Sequence, residues 1–177
     1  MKTCSIDDLK ANFRFDAETG IITRMLTEKS FKAGDRSGSR TSHGYLMLKF
    51  HEVRCLAHRA AFAMYYGCWP IGQIDHINGD RTDNRISNLR EVSNSQNQMN
   101  AGLNSRNTSG CKGIWWSKDE SRWRAHIIVD KKKLYLGSYK TPDEAAHAYN
   151  KAAIRLHGEF ARLNPIGTAA PTPETKG

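Results

Sequence analysis

An Asp–His pair opens the most chemically loaded stretch of the chain, Ile74-Asp75-His76-Ile77-Asn78-Gly79-Asp80. It continues through Asn84, Asn88-Leu89-Arg90-Glu91-Val92 and Ser93 to Asn97. The stretch sets one carboxylate beside one imidazole, then an Asn/Gly-rich turn, then a short strand. Ser93-x-x-Gln96 has the spacing of a capping box, which would put Asn97 in the first turn of a helix. Phosphodiester hydrolysis needs a base to deprotonate water, a hard cation to polarise the phosphate and stabilise the leaving oxygen, and a hold on the scissile phosphate. Asp75 and Asn97 offer oxygen ligands of the type Mg²⁺ or Mn²⁺ prefers, with phosphate and water completing the shell. A histidine such as His76, with an ordinary pKa of about 6.5, is substantially neutral at pH 7 and can accept a proton. Adjacent strand residues point to opposite faces, so a bulge or a strand end is needed for Asp75 and His76 to serve one site.

The elements before this stretch have to position it. Residues 13–24 read as two short strands around a Glu18-Thr19-Gly20 turn, and residues 32–43 as loop or hairpin tip. Tyr45 to Phe50 and Val53 to Leu56 read as a strand pair. Ala57 to Tyr66 reads as a short helix stopped by Gly67. His58 is either a packed helix histidine or a phosphate contact, and Arg59 either clamps a phosphate or pairs with an acid.

A second constellation follows residues 101–110, a Gly/Ser/Asn-rich stretch read as a linker. Lys112 to Trp116 reads as a first strand. Arg122 to Val129 alternates, with Trp123, Ala125, Ile127 and Val129 on one side and Arg122, Arg124, His126 and Ile128 on the other. Lys133 to Tyr139 repeats the pattern, with Leu134 and Leu136 expected inward. Thr141-Pro142-Asp143-Glu144 has the residues of a helix start, and Ala145, Ala148, Tyr149, Ala152 and Leu156 form a small-residue face for packing on a sheet. A three-stranded antiparallel sheet covered on one side by a helix leaves its other side open. That open face carries Lys112, Arg122, Arg124, His126, Lys133 and Tyr135, with Trp115 among the cations and no acid on any of the three strands. A solvated face is the ordinary meaning of such a surface. A sheet can also enter the major groove of DNA, with Arg and Lys on phosphates or guanine edges, and the absence of acids favours that reading.

Composition fits both readings. The chain has 177 residues, 27 Lys plus Arg against 18 Asp plus Glu, and a formal charge of +9, a balance that suggests a polyanionic partner. At 38% hydrophobic residues it can fold, as one medium or two small domains. Its longest apolar runs fall far short of the roughly 20 residues of a membrane span. The N-terminus turns acidic within a few residues, so no secretory signal is expected. Cys4, Cys55, Cys68 and Cys111 form no C-x-x-C pair and are expected as reduced thiols. No internal repeat is visible.

Two family resemblances gather these features. The order D-H-x-x-G-x-x-x-x-N, then N-L-R-x-V-S, then Asn97, with Ala57-His58-Arg59 upstream, is similar to the HNH (ββα-metal) endonucleases, above all the homing-type enzymes of phages. It covers roughly residues 13–100. The resemblance implies Asp75 and Asn97 as ligands of one divalent cation, His76 as general base, and Asn88 as the residue that braces the loop aiming the base. Zinc-binding cysteine pairs, which some relatives carry, are missing, which fits a single-metal branch. Further on, Lys112-Gly113-Ile114, Trp123-x-Ala125-x-Ile127, Tyr135-Leu136-Gly137-x-Tyr139, Ala145-Ala146-x-Ala148-Tyr149, Ala152-Ala153 and His157-Gly158 resemble the APETALA2/ethylene-response-factor DNA-binding domain. There the resemblance implies a sheet in the major groove. Trp115 stands where that family usually has Arg, and Ser117 and Ile128 replace basic positions, so the plant target sequence does not transfer.

The expectation is therefore an α+β chain. A ββα-metal HNH unit with N-terminal hairpins fills residues 1–100, a linker 101–110, a three-stranded sheet packed on one helix 111–164, and a tail 165–177. The expected activity is Mg²⁺- or Mn²⁺-dependent cleavage of double-stranded DNA in the cytosol of a host cell, with no membrane and no obligatory protein partner. The alternative is a sequence-specific DNA-binding regulator built on an inactive nuclease fold. RNA binding is weaker, since no aromatic RNP-like motif is present.

Overall fold

The computed structural model describes residues 5–27 and 30–167, divided into two compact units, Met1–Asn94 and Ser95–Gly177. The first unit opens with an element the sequence reading passed over, helix α1 (Ile6–Asn12). Its signal is a capping box: Ser5 Oγ accepts from Asp8 N–H at 3.0 Å and Asp8 Oδ2 accepts from Ser5 N–H at 3.2 Å.

Strands β1 (Phe13–Phe15) and β2 (Ile22–Arg24) form the expected hairpin, its turn held by Asp16 Oδ1, which accepts from Glu18 and Thr19 N–H. Gly20 has φ +72°, and a Cβ there would collide with the backbone of Asn84 and Arg85. This close approach seats the hairpin turn on the loop that carries Asn84, and Ile86 N–H donates to Ala17 O (3.0 Å) beside it. Within the stretch read as loop, Ser39–Arg40 forms strand β3, which pairs with β4 (Leu46–Phe50), itself paired with β5 (Val53–Leu56).

Helix α2 (Ala57–Tyr66) buries Ala57, Ala60, Ala61 and Ala63 with at most 1% exposure, so its backbone lies close on the core formed by Leu9, Phe13, Ile22, Leu48 and Phe50. It ends at Gly67 in the left-handed conformation, as the sequence indicated. Strands β6 (Gln73–His76) and β7 (Leu89–Val92) then form a two-stranded antiparallel ladder, joined by the Asn-rich turn and a 3₁₀ turn at Ile86–Asn88.

Helix α3 (Asn94–Asn100) begins one residue after Ser93. The second unit is built on an antiparallel sheet with strand order β10-β9-β8, where β8 is Ile114–Ser117, β9 Arg122–Val129 and β10 Lys132–Tyr139, covered by α4 (Pro142–His157). Trp123, Ala125 and Ile127 are buried as the alternation required, against Ala145, Tyr149 and Ala152, joined by Ala146 and Ala153. The capping box of α4 is in place, with Thr141 Oγ1 accepting from Glu144 N–H (3.2 Å).

Leu134 departs from expectation. It is 44% exposed on the edge strand although it pairs with the buried Ile127; Leu136, at the register shift between Tyr135 and Gly137, packs on the core. Residues 101–110 contain no helix or strand, yet Ser109 is 1% exposed and its hydroxyl donates to Ile114 O (2.8 Å), which anchors the end of that stretch to β8.

Asn164 closes the unit. It accepts from Lys112 N–H (2.6 Å), donates to Lys112 O (3.0 Å), and exchanges two further bonds with Asn150 (2.7 and 2.9 Å). Of the expected tail, Gly167 N–H donates to Asp143 Oδ1 (3.0 Å); residues 168–177, and Cys4, lie outside the described residues. Among the described residues, Cys68 and Cys111 are free thiols. No described helix is long and apolar enough to cross a membrane.

Candidate active site and nucleic-acid interface

Cross-strand pairing assembles the first constellation. Asp75 faces Arg90 across the β6–β7 ladder, and Arg90 Nε and Nη2 both donate to Asp75 Oδ2, at 3.0 and 2.9 Å. The pair is largely withdrawn from solvent, with side-chain exposures of 7% for Asp75 and 15% for Arg90, so the carboxylate is held against a fixed cation. His76 is the last residue of β6, the strand end that its sharing a site with Asp75 required.

The imidazole is held on several sides. Nε2 of His76 lies 3.1 Å from Asn84 Oδ1, with both residues buried. An amide oxygen only accepts, so Nε2 carries the proton and the basic lone pair sits on Nδ1. The His58 ring stands edge-on to His76, with centroids 5.1 Å apart and planes at 81°. The Tyr45 ring lies 5.0 Å from His58 and 5.9 Å from His76. Burial pushes the pKa of His76 down, opposed by its bond to Asn84 and by the charge of Asp75, so the ring is neutral at pH 7. Burial, with the neighbouring His76 and Arg59 adding to it, takes His58 down to about 3.

Asn88 ties down the turn that follows His76. Its Nδ2 donates to Asn78 Oδ1 (3.0 Å) and to Asp83 O (2.8 Å), its Oδ1 accepts from Asn78 N–H (3.0 Å), and its carbonyl accepts from Ile77 N–H (2.9 Å). Arg85 binds Asp83 through two nitrogens and holds that carboxyl at about 2.

Other candidates fall elsewhere. Arg59 is engaged by backbone carbonyls. Its Nη1 and Nη2 donate to Gly72 O (2.9 Å) and Pro70 O (2.7 Å), holding the entry to β6. Asn97 lies on α3, in the second unit. Two residues that sequence reasoning left off the site stand in it. Asn84 closes the D-H-x-x-G-x-x-x-x-N motif and Arg90 lies inside the N-L-R segment, and neither had been given a role. What the sequence lacked was the ladder register and the fold of the turn.

The second constellation is the open face of β8-β9-β10. Lys133 Nζ sits 4.5 Å from the centroid of the Trp115 ring, and that ring meets His126 edge-to-face at 5.0 Å. The pKa of His126 is lowered by burial and by Lys133. Tyr135 is 55% exposed. The face is not free of acid, as the strands alone suggested. Glu120, in the β8–β9 turn, binds Arg124 through both nitrogens of its fork and accepts from Ser138 Oγ (2.9 Å). Lys112 also departs from expectation: its Nζ donates to Gln98 O (3.1 Å), Met99 O (2.6 Å) and Ala101 O (2.8 Å), away from the open face. Burial, and then Arg162, lowers it to about 8, so it remains protonated at neutral pH.

Comparison with known proteins adds four findings. The HNH endonuclease family model matches residues 55–99. Protein 3.8 of Escherichia phage T7 is 35% identical over 90 residues, spanning 51% of this chain and 74% of that protein. The AP2-like ethylene-responsive transcription factor ANT of Arabidopsis thaliana is 40% identical over 153 residues, 82% of this chain and 27% of the factor. A solved structure, titled DNA binding and cleavage by the HNH homing endonuclease I-HmuI, aligns over 89% of this chain and 91% of that one, at 18% identity and a TM-score of 0.41.

Proposed function

The chain belongs to the HNH endonuclease family, and on that premise we propose that it hydrolyses phosphodiester bonds of double-stranded DNA with one Mg²⁺ or Mn²⁺ per site. The observation that carries the reading is the buried Asp75-His76 pair, its ring fixed through Nε2 by Asn84 and its carboxylate by Arg90, inside the matched segment. In this reading His76 Nδ1 takes the proton from the attacking water, and the Asn88 network keeps the loop from swinging the ring away.

The donor chemistry fits a hard cation. Asp75 and Asn97 offer a carboxylate and an amide oxygen, and among the described residues no three His, Cys, Asp or Glu side chains form a ready-made cage. A site of that kind leaves coordination positions for phosphate and water. Bound there, the cation would polarise the phosphate and stabilise the leaving oxygen.

Residues 1–100 are the cutting module in this reading, 101–110 the connection and 111–164 the DNA-binding module, with Trp115, Arg122, Arg124, His126, Lys133 and Tyr135 on the DNA side. Joining the two raises the effective concentration of each at a DNA site, so modest separate affinities suffice. The expected setting is the cytosol of a host cell. The test is digestion of plasmid DNA by the purified chain with Mg²⁺ or Mn²⁺. Loss of digestion with EDTA and with His76→Ala supports the proposal. DNA binding with no digestion in either metal would leave the DNA-binding regulator as the better reading.

A further inference from the structure

The chain joining the two constellations carries a contact that neither one uses. Helix α3 (Asn94–Asn100) holds Asn97, the proposed amide ligand. The helix is seven residues long and composed of Asn, Ser, Gln and Met. Only Asn100 is buried, and no basic residue stands in its last turn. A helix that short is marginal by itself, and its last carbonyls lack intrahelical partners.

Those carbonyls are met from outside the helix. Lys112 Nζ reaches back to Gln98 O, Met99 O and, just past the helix end, Ala101 O. An ammonium has three N–H donors, so all three are engaged. The cation also sits at the negative end of the helix dipole. The main chain of Lys112 is itself bound on both its N–H and its C=O by Asn164, two residues before β8 begins.

We propose that Lys112 is a positioning residue for cleavage, its ammonium fixing the helix that carries Asn97 to the base of the DNA-binding sheet. The inference rests on the nuclease reading above. Its consequence is that the ligand-bearing helix moves with the module that grips DNA, so engagement of the sheet carries Asn97 with it. It also removes Lys112 from the set of phosphate contacts, because no donor is left over.

The test uses the full chain with Lys112→Met, which keeps the stem and removes the donors. Three measurements are made: amide hydrogen exchange of residues 95–101 without DNA or metal, DNA affinity with the metal withheld, and the single-turnover cutting rate at saturating DNA. The expected result is exchange at α3 faster by about tenfold, affinity within about threefold of wild type, and a cutting rate at least about tenfold lower. Lys112→Arg, which keeps the charge but splays the donors, is expected to recover part of the rate, and it decides the matter if Lys112→Met does not fold. Wild-type exchange at α3 with an unchanged saturating rate would overturn the proposal. So would weaker affinity with a shallower salt dependence and an intact saturating rate, the signature of a phosphate contact. A wild-type chain that cuts no DNA would sink the nuclease reading itself; cutting by wild type and Lys112→Met alike would sink only the positioning role.

Discussion

Asn84 and His76, eight residues apart, meet at 3.1 Å between Oδ1 and Nε2, with 2% and 4% exposure. This contact sets which imidazole nitrogen can act as base, since the protonated one faces the amide. Asn84→Ala leaves a buried N–H without its partner and is expected to cost about 1–3 kcal/mol of stability while slowing cleavage. His76→Ala is expected to lower the cutting rate by roughly 10²- to 10⁴-fold with DNA affinity retained. Urea melts and single-turnover rates measure both; loss of binding along with cutting in His76→Ala would remove its role as base.

Asp75 and Arg90 form a part-buried ion pair. Arg90→Met removes the two charge-assisted hydrogen bonds from Asp75 Oδ2 and is expected to destabilise the first unit by about 1.5–3 kcal/mol. Asp75→Ala is expected to prevent cleavage at every Mg²⁺ concentration. Recovery of cutting at high Mg²⁺ would show that Asp75 does not hold the cation.

Glu120 binds Arg124, so in the proposed DNA complex it would compete with phosphate for that cation. Glu120→Gln is therefore expected to tighten DNA binding and to steepen its salt dependence by about one unit, as one more cation becomes available. Arg122→Ala and Lys133→Ala are expected to flatten that dependence by about one unit each. A salt series of binding isotherms checks both directions, and an unmoved slope would mean the open face is solvated surface.

Asn164 ties the end of the second unit to its beginning through both polar atoms of its amide and through its backbone. Asn164→Ala is expected to destabilise this unit by about 2–4 kcal/mol, the cost of two lost bonds and the backbone groups left unpaired. Denaturation followed by tryptophan fluorescence should show it, since all four tryptophans except Trp69 lie here.

His58 sets a pH dependence of stability. Its pKa falls from the ordinary 6.5 to about 3 on folding, so the unfolded chain binds a proton that the folded one refuses. Its contribution is complete above pH 6.5 and is lost as pH falls from 6.5 towards 3. Between pH 7.5 and 4.5 the loss is about 3 kcal/mol. His58→Phe, which cannot titrate, is expected to flatten the acid side of the stability curve; an unchanged curve would rule out His58 as its source.

Local chemistry was legible in the sequence wherever neighbours along the chain decide the outcome. The α4 capping box, the Gly67 stop and the β9 alternation all depend on spacings of a few residues, and all stand as read. The acid in the β8–β9 turn, the partner of His76 and the direction of Lys112 depend instead on strand register and on where a turn folds back. Long flexible side chains reach whichever partner the tertiary structure brings near, and a donor's type says nothing of which acceptor that will be. The sequence by itself determined the elements whose signals lie within a few residues of one another. Packing decided which distant residues meet, because hydrogen bonds and ion pairs act over about 3 Å and only the folded chain brings distant positions that close.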